Sequence, residues 1–185
     1  EPKYYKLVNI MNEYFKNSLS NIYCSQGTFL NSKTEKELTC KKKGILCYVS
    51  KNKGLKKYIL NNKVKKDYNY WKVITPAAAF KGPSGFSDIY LLNNKEIHSR
   101  SYISFKINDK KEAKSLYSYM HCKLPQLLLS LRKQTHNLCN SNVFKWIPYI
   151  PLDREWNNKK LYKYFKLDKE IINFIENIEL EGKYK

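Results

Sequence analysis

The stretch from Arg100 to Ile150 limits the possible folds most narrowly, because its hydrophobic period changes several times in quick succession. In RSYISFKIN, Tyr102, Ser104 and Lys106 alternate with Ile103, Phe105 and Ile107, the spacing of a half-buried strand. Asp109 then stands as a helix N-cap with Glu112 three residues on, and Ala113, Leu116, Tyr117 and Met120 follow on one helical face. A second helix opens after Lys123, with Pro125 in its first turn, where no N–H is needed. Its apolar stripe is Leu124, Leu127, Leu128, Leu131 and Leu138, and the polar cluster Arg132, Lys133, Gln134, Thr135 and His136 rides near its end. Val143 to Ile147 reads as a short strand stopped by Pro148. The unit is strand, helix, helix, strand.

Upstream, Leu7, Ile10, Met11, Tyr14 and Phe15 recur at helical spacing, so Tyr5 to Leu19 is expected to be an amphipathic helix. We read residues 1–20 as an N-terminal helix or hinge and 21–185 as one domain. The polar segment 20–40 has no period. Ile45 to Val49 and Lys57 to Leu60 read as a β-hairpin turned through Lys51-Asn52-Lys53-Gly54. Trp71, Val73 and Ile74 suit a central strand. The loop from Pro76 to Phe86 contains Gly82 and Gly85, which permit close backbone approach to a ligand, but it lacks the order of a P-loop. Ser87 to Leu92 reads as a strand that Asn93-Asn94 turns back. Trp156 reads as a core aromatic, Asn157 or Asn158 as the cap of a short helix, and Asp168 as the cap of the last one. The expected class is α+β: a mixed β-sheet and hairpin half, β-rich over 41–107, packed on a helical half over 109–180.

With 35 basic against 16 acidic residues, the formal charge is +19 and a polyanionic partner is the first functional expectation. Nearly all the cations are Lys, beside many Asn, Ile and Tyr, a bias that an AT-rich genome also produces. No apolar run approaches the ~18 residues of a membrane span, and EPKYYK is not followed by a signal-peptide core. No membrane partner is therefore expected, and the location read is cytoplasmic. The start at Glu1 rather than Met leads us to expect a longer parent. Cys24, Cys40, Cys47, Cys122 and Cys139 form no CxxC pair, as in a reduced chain. His121, Cys122, His136 and Cys139 are poorly spaced for zinc, since adjacent helical residues diverge by about 100°.

Several of these segments, in this order, resemble the C-terminal target-recognition region of bacterial type II restriction-modification proteins with an adenine-specific DNA methyltransferase. The resemblance rests on Trp71-Lys72-Val73-Ile74-Thr75-Pro76, Ser101-Tyr102, Glu112-Ala113, Leu128 to Thr135, Phe144 to Pro148, Trp156, Leu161-Tyr162 and Glu170 to Glu176. It covers most of the chain. Relatives carry Lys-x-Thr-Gln where this chain has Lys133-Gln134-Thr135-His136, so the Gln has moved. The resemblance implies binding of double-stranded DNA and reading of a short site. It also implies a missing N-terminal methyltransferase domain that carries S-adenosylmethionine and flips the adenine, with no cofactor in this chain. The Asn-Pro-Pro-Tyr type motif and Gly-rich loop of such a domain are absent here.

We therefore expect no catalytic and no metal-ligating residue in this chain. Lys41, Lys42, Lys43, Lys51, Lys53, Lys56, Lys57, Lys81 and Lys133 are the expected phosphate contacts, and Arg132 is an expected DNA contact in the same cluster as Lys133. Ser84, Arg100, Gln134 and Asn137 are better equipped for base edges. The hairpin is narrow enough for a major groove. Read without a ligand, its lysines protect an edge strand. Two alternatives stand beside this reading. One is a Mg²⁺-dependent restriction nuclease, for which Glu112-Ala113-Lys114 has the letters but lies in a helix. The other is a basic protein that does not bind DNA.

Overall fold

The computed structural model describes residues 2–49, 56–65, 67–78 and 85–180. The class is α+β, with strands mostly in the first half and helices mostly in the second. The strands are β1 (Tyr23–Cys24), β2 (Ile45–Tyr48), β3 (Lys56–Ile59), β4 (Trp71–Pro76), β5 (Tyr90–Leu92), β6 (Glu96–His98) and β7 (Tyr102–Ile107). The α-helices are α1 (Lys3–Met11), α2 (Lys110–Met120), α3 (Lys123–Arg132), α4 (Asn158–Tyr164) and α5 (Lys169–Asn177).

A four-stranded antiparallel sheet runs β1-β7-β4-β5, and a three-stranded mixed sheet runs β3-β2-β6. β2 and β3 form the expected hairpin, with Ile45 opposite Ile59. Gly44 permits it: its φ is +97°, and a Cβ there would lie 2.1 Å from the Ile59 carbonyl oxygen. Asn93-Asn94 does not return β5 onto a neighbour. β6 instead leaves the larger sheet and pairs in parallel with β2.

The central strands are covered on both faces. Val73, Ile103, Phe105 and Ile107 join the large core with the helices, including Leu128 at 0 % exposure. Ile74, Leu92 and Tyr102 meet Tyr48 of the smaller sheet. The alternation in β7 is thus real, but Tyr102 and Ser104 face a second protein layer rather than water, and only Lys106 emerges. Polar side chains in that layer are paired, as burial requires. His98 contacts the Ser99 carbonyl through Nδ1 and Ser104 Oγ through Nε2, both at 2.9 Å. Lys72 Nζ donates to the carbonyls of Tyr68 (2.8 Å) and Tyr70 (2.5 Å) and sits 4.6 Å from the Tyr70 ring centroid. Burial pushes its pKa down to about 7.

The caps form at Asp109, Asn157 and Asp168, whose side chains accept from the backbone N–H of Glu112, Lys160 and Ile171. Trp156 is in the core, whereas Trp71 is half-buried at its margin. Four expected elements differ. The strand expected over Ser87 to Leu92 begins only at Tyr90. The first helix stops at Met11 and continues as a 3-10 turn over Asn12–Lys16, which still lays Tyr14 and Phe15 on the core. α3 ends at Arg132, before Leu138. Ser141–Trp146 is a 3-10 helix rather than a strand, started by the Asn140 side chain accepting from the Asn142 N–H at 2.9 Å. Local side-chain bonds of this kind compete with a strand ladder.

Candidate nucleic-acid interface

Several segments meet at one end of the two sheets because of how the strands run. β2 and β6 are parallel, so both finish there, and β7 begins there beside the end of β4. The Ser99 N–H donates to the Tyr48 carbonyl (2.8 Å), and Ser101 Oγ donates to that of Val49 (3.2 Å). The Ala77 N–H donates to the Ser101 carbonyl (2.9 Å), and the Ala77 carbonyl accepts from Leu138 N–H (2.8 Å). Ala78 bridges Asn137 as an isolated β-pair. Arg100, exposed in the turn between β6 and β7, donates its backbone N–H to Glu35 at 3.1 Å. It lies close enough to Cys139 to pull that thiol's pKa down, although burial, the larger effect, raises it.

At this end lies an open cleft of about 480 Å³, lined by Arg132, Gln134, Thr135, Asn137, Cys139, Asn140, Asn142 and Val143. The volume falls in the ~300–1,000 Å³ range of ligand-sized pockets, but the lining is unusually polar for one. Arg132 is half-buried, its guanidinium 5.4 Å from the centroid of the Trp146 ring. The next residues leave the helix because their side chains bond the backbone. Thr135 Oγ1 accepts from Asn137 N–H (3.2 Å), and Asn137 Oδ1 accepts from Cys139 N–H (2.7 Å). The expected helical support for Gln134 and Thr135 is therefore absent, and both are exposed in a loop. Asn137 gains its support from the extension of β4 instead.

Of the residues expected to contact DNA, Arg100, Arg132, Lys133, Gln134 and Asn137 come to this end of the molecule. Lys133 is half-buried and its pKa is lowered by burial. Lys56 begins β3 opposite Tyr48, with its ammonium 4.9 Å from the Tyr48 ring centroid, and Lys57 beside it is half-buried. Lys41, Lys42 and Lys43 are exposed before the start of β2, the opposite end of the hairpin. Lys51, Lys53, Lys81 and Ser84 lie outside the described residues. Asn140 and Asn142 are in the cleft but not among the residues expected from the sequence. Their signal there is the run Asn137-Leu-Cys-Asn140-Ser-Asn142, in which amides recur at the spacing of side-chain-to-backbone turns.

The Gly85 backbone returns onto α3 through a buried Gln126. Its Oε1 accepts from Phe86 N–H at 2.5 Å and its Nε2 donates to the Met120 carbonyl at 2.6 Å. A Cβ on Gly85 would stand 1.8 Å from Gln126 Oε1, so no larger residue fits without moving it. Elsewhere, Arg154, Trp156, Lys160, Lys163 and Tyr164 line a broader cleft on the helical half. Glu112, Ala113 and Lys114 lie in α2, with Ala113 fully buried. Among the described residues no three His, Cys, Asp or Glu side chains are grouped as a metal site. Nor is any helix among them long and apolar enough to cross a membrane.

Comparison with protein-family models, with curated proteins and with solved structures gives no match.

Proposed function

We propose that this chain is the target-recognition module of a DNA adenine methyltransferase from a restriction-modification system. In this reading it is not itself an enzyme. It grips duplex DNA in the cytoplasm and reads a short site for a separate catalytic domain that uses S-adenosylmethionine. The observation that carries the reading is the gathering of Arg100, Arg132, Gln134 and Asn137 at one end of the sheets, three of them in one polar cleft. Amides and guanidinium groups are the side chains that pair bidentately with base edges. The charge of +19 supplies the sequence-independent attraction that such a reader needs. The sequence resemblance supplies the class of parent enzyme.

The test is binding of the isolated chain to labelled duplexes over a range of salt, first to random DNA and then to a site recovered by selection. Gln134→Ala should cost roughly 1–3 kcal/mol on the selected site and little on random DNA, because one base edge then goes unread. Lys133→Ala should weaken both about equally. No binding at low salt would refute the proposal, and Mg²⁺-dependent cleavage by the chain alone would replace it with a nuclease.

A further inference from the structure

The cleft beyond α3 has a definite hydrogen-bond polarity, and that polarity limits what it can read. A backbone N–H can only donate, so the amide oxygen of Asn137 must face Cys139 N–H and that of Asn140 must face Asn142 N–H. Each oxygen is thereby turned toward the backbone and spends one lone pair on it, and neither Nδ2 group has a hydrogen-bond partner among the described residues. Thr135 Oγ1 likewise accepts from Asn137 N–H, which leaves its own O–H to donate. Arg132 has donors only, and packing on Trp146 limits its freedom. Gln134 can present either end of its amide.

The fixed groups of the cleft are therefore donors. Of the four bases, guanine alone shows two adjacent acceptors in the major groove, O6 and N7. Adenine shows one acceptor and one donor, thymine one acceptor and a methyl group, and cytosine a donor. We propose that this cleft is a guanine-reading site, in which Arg132 and the Asn137 Nδ2 group donate to O6 and N7. The proposal rests on the DNA-binding reading above and deepens it.

The support is of the kind base readout demands. Asn137 is tied by its bridge to Ala78, and the next residue by the Leu138 bond to Ala77, to the segment that continues directly from β4, so its position follows the end of the sheet. Arg132 ends a helix whose other face is core. A phosphate would also accept from these groups, but it carries no sequence information. That difference separates the two ligands.

The experiment is selection from a duplex library with a randomised centre, followed by replacement of each enriched guanine with 7-deazaguanine, which removes only N7. Asn137→Asp is the informative variant. It keeps the oxygen that caps Cys139 N–H, so thermal unfolding should change little, while its Nδ2 donors become an acceptor. The wild type should select a site with a guanine at which 7-deazaguanine weakens binding by about tenfold, the scale of one base-edge hydrogen bond. In Asn137→Asp that preference should vanish, while the ratio of selected to random affinity at other positions holds. A selected site without guanine overturns the assignment. So does an equal loss on selected and random DNA for Asn137→Asp, which would make the cleft a phosphate clamp. Either result leaves DNA binding itself standing. Failure to bind any duplex at low salt overturns both proposals.

Discussion

His98 is fully buried between the two sheets, and its two ring nitrogens define its protonation. Nδ1 faces a carbonyl and must carry the proton, and Nε2 accepts from the Ser104 hydroxyl, so the neutral ring is satisfied. Burial, the main cause, with Lys72 nearby, pushes its pKa down to about 4 from an ordinary 6.5. Between those values the unfolded chain binds a proton that the folded chain refuses. The stabilisation is thus complete above pH 6.5 and is lost as pH falls toward 4. Urea unfolding at pH 7 and at pH 5 should differ through this group by about 2 kcal/mol. His98→Gln cannot titrate and should flatten the profile by that amount. A variant with the same acid sensitivity as the wild type would show that the loss arises elsewhere.

At the scale of elements, the hairpin depends on Gly44, where a positive φ coincides with contact against the Ile59 carbonyl. Gly44→Ala should destabilise the fold by roughly 1–3 kcal/mol, the usual cost of such strain. An unchanged denaturation midpoint would argue against it. What could be read from the sequence follows the same division between local and long-range causes. Asp109, Asn157 and Asp168 cap as expected because a cap is made within four residues. Leu138 misleads, because it follows Leu131 by seven residues, two helical turns, yet it is buried outside the helix, bonded to Ala77 just past the end of β4 and distant in sequence. Val143 and Ile147 suit a strand, but the Asn140 side chain favours a 3-10 turn that still buries Phe144 completely. The departure of β6 to the smaller sheet leaves no local trace, since Asn93-Asn94 would serve a hairpin equally well. Arg132, Gln134 and Asn137 could be named from residue type. Their convergence with Arg100 could not, because it depends on the pairing of β4 with β7 and of β2 with β6.

Among the described residues, the ion pairs use cations other than the lysines that precede the hairpin. Asp168 and Glu170 pair with Lys6, Glu37 with Lys63, Asp67 with Lys106, Asp153 with Arg154 and Glu176 with Lys123. Lys41, Lys42 and Lys43 are in no ion pair among the described residues, so their charges are available to phosphate. β2 separates them from the cleft end by its four residues, about 13 Å of extended chain, close to the width of a major groove. On the proposed DNA-binding reading, the two groups would act on one duplex in different ways, one by charge and the other by hydrogen bonds. Replacing Lys41, Lys42 and Lys43 together with Ala should reduce the slope of log K against log salt by ~0.9 for each phosphate no longer neutralised. The ratio of selected-site to random-DNA affinity should be preserved, because phosphate contacts weigh equally on both. Titrations of both duplexes at several salt concentrations measure slope and ratio at once. An unchanged slope would remove these lysines from the interface, whereas a collapsed ratio would mean that the hairpin takes part in reading the site.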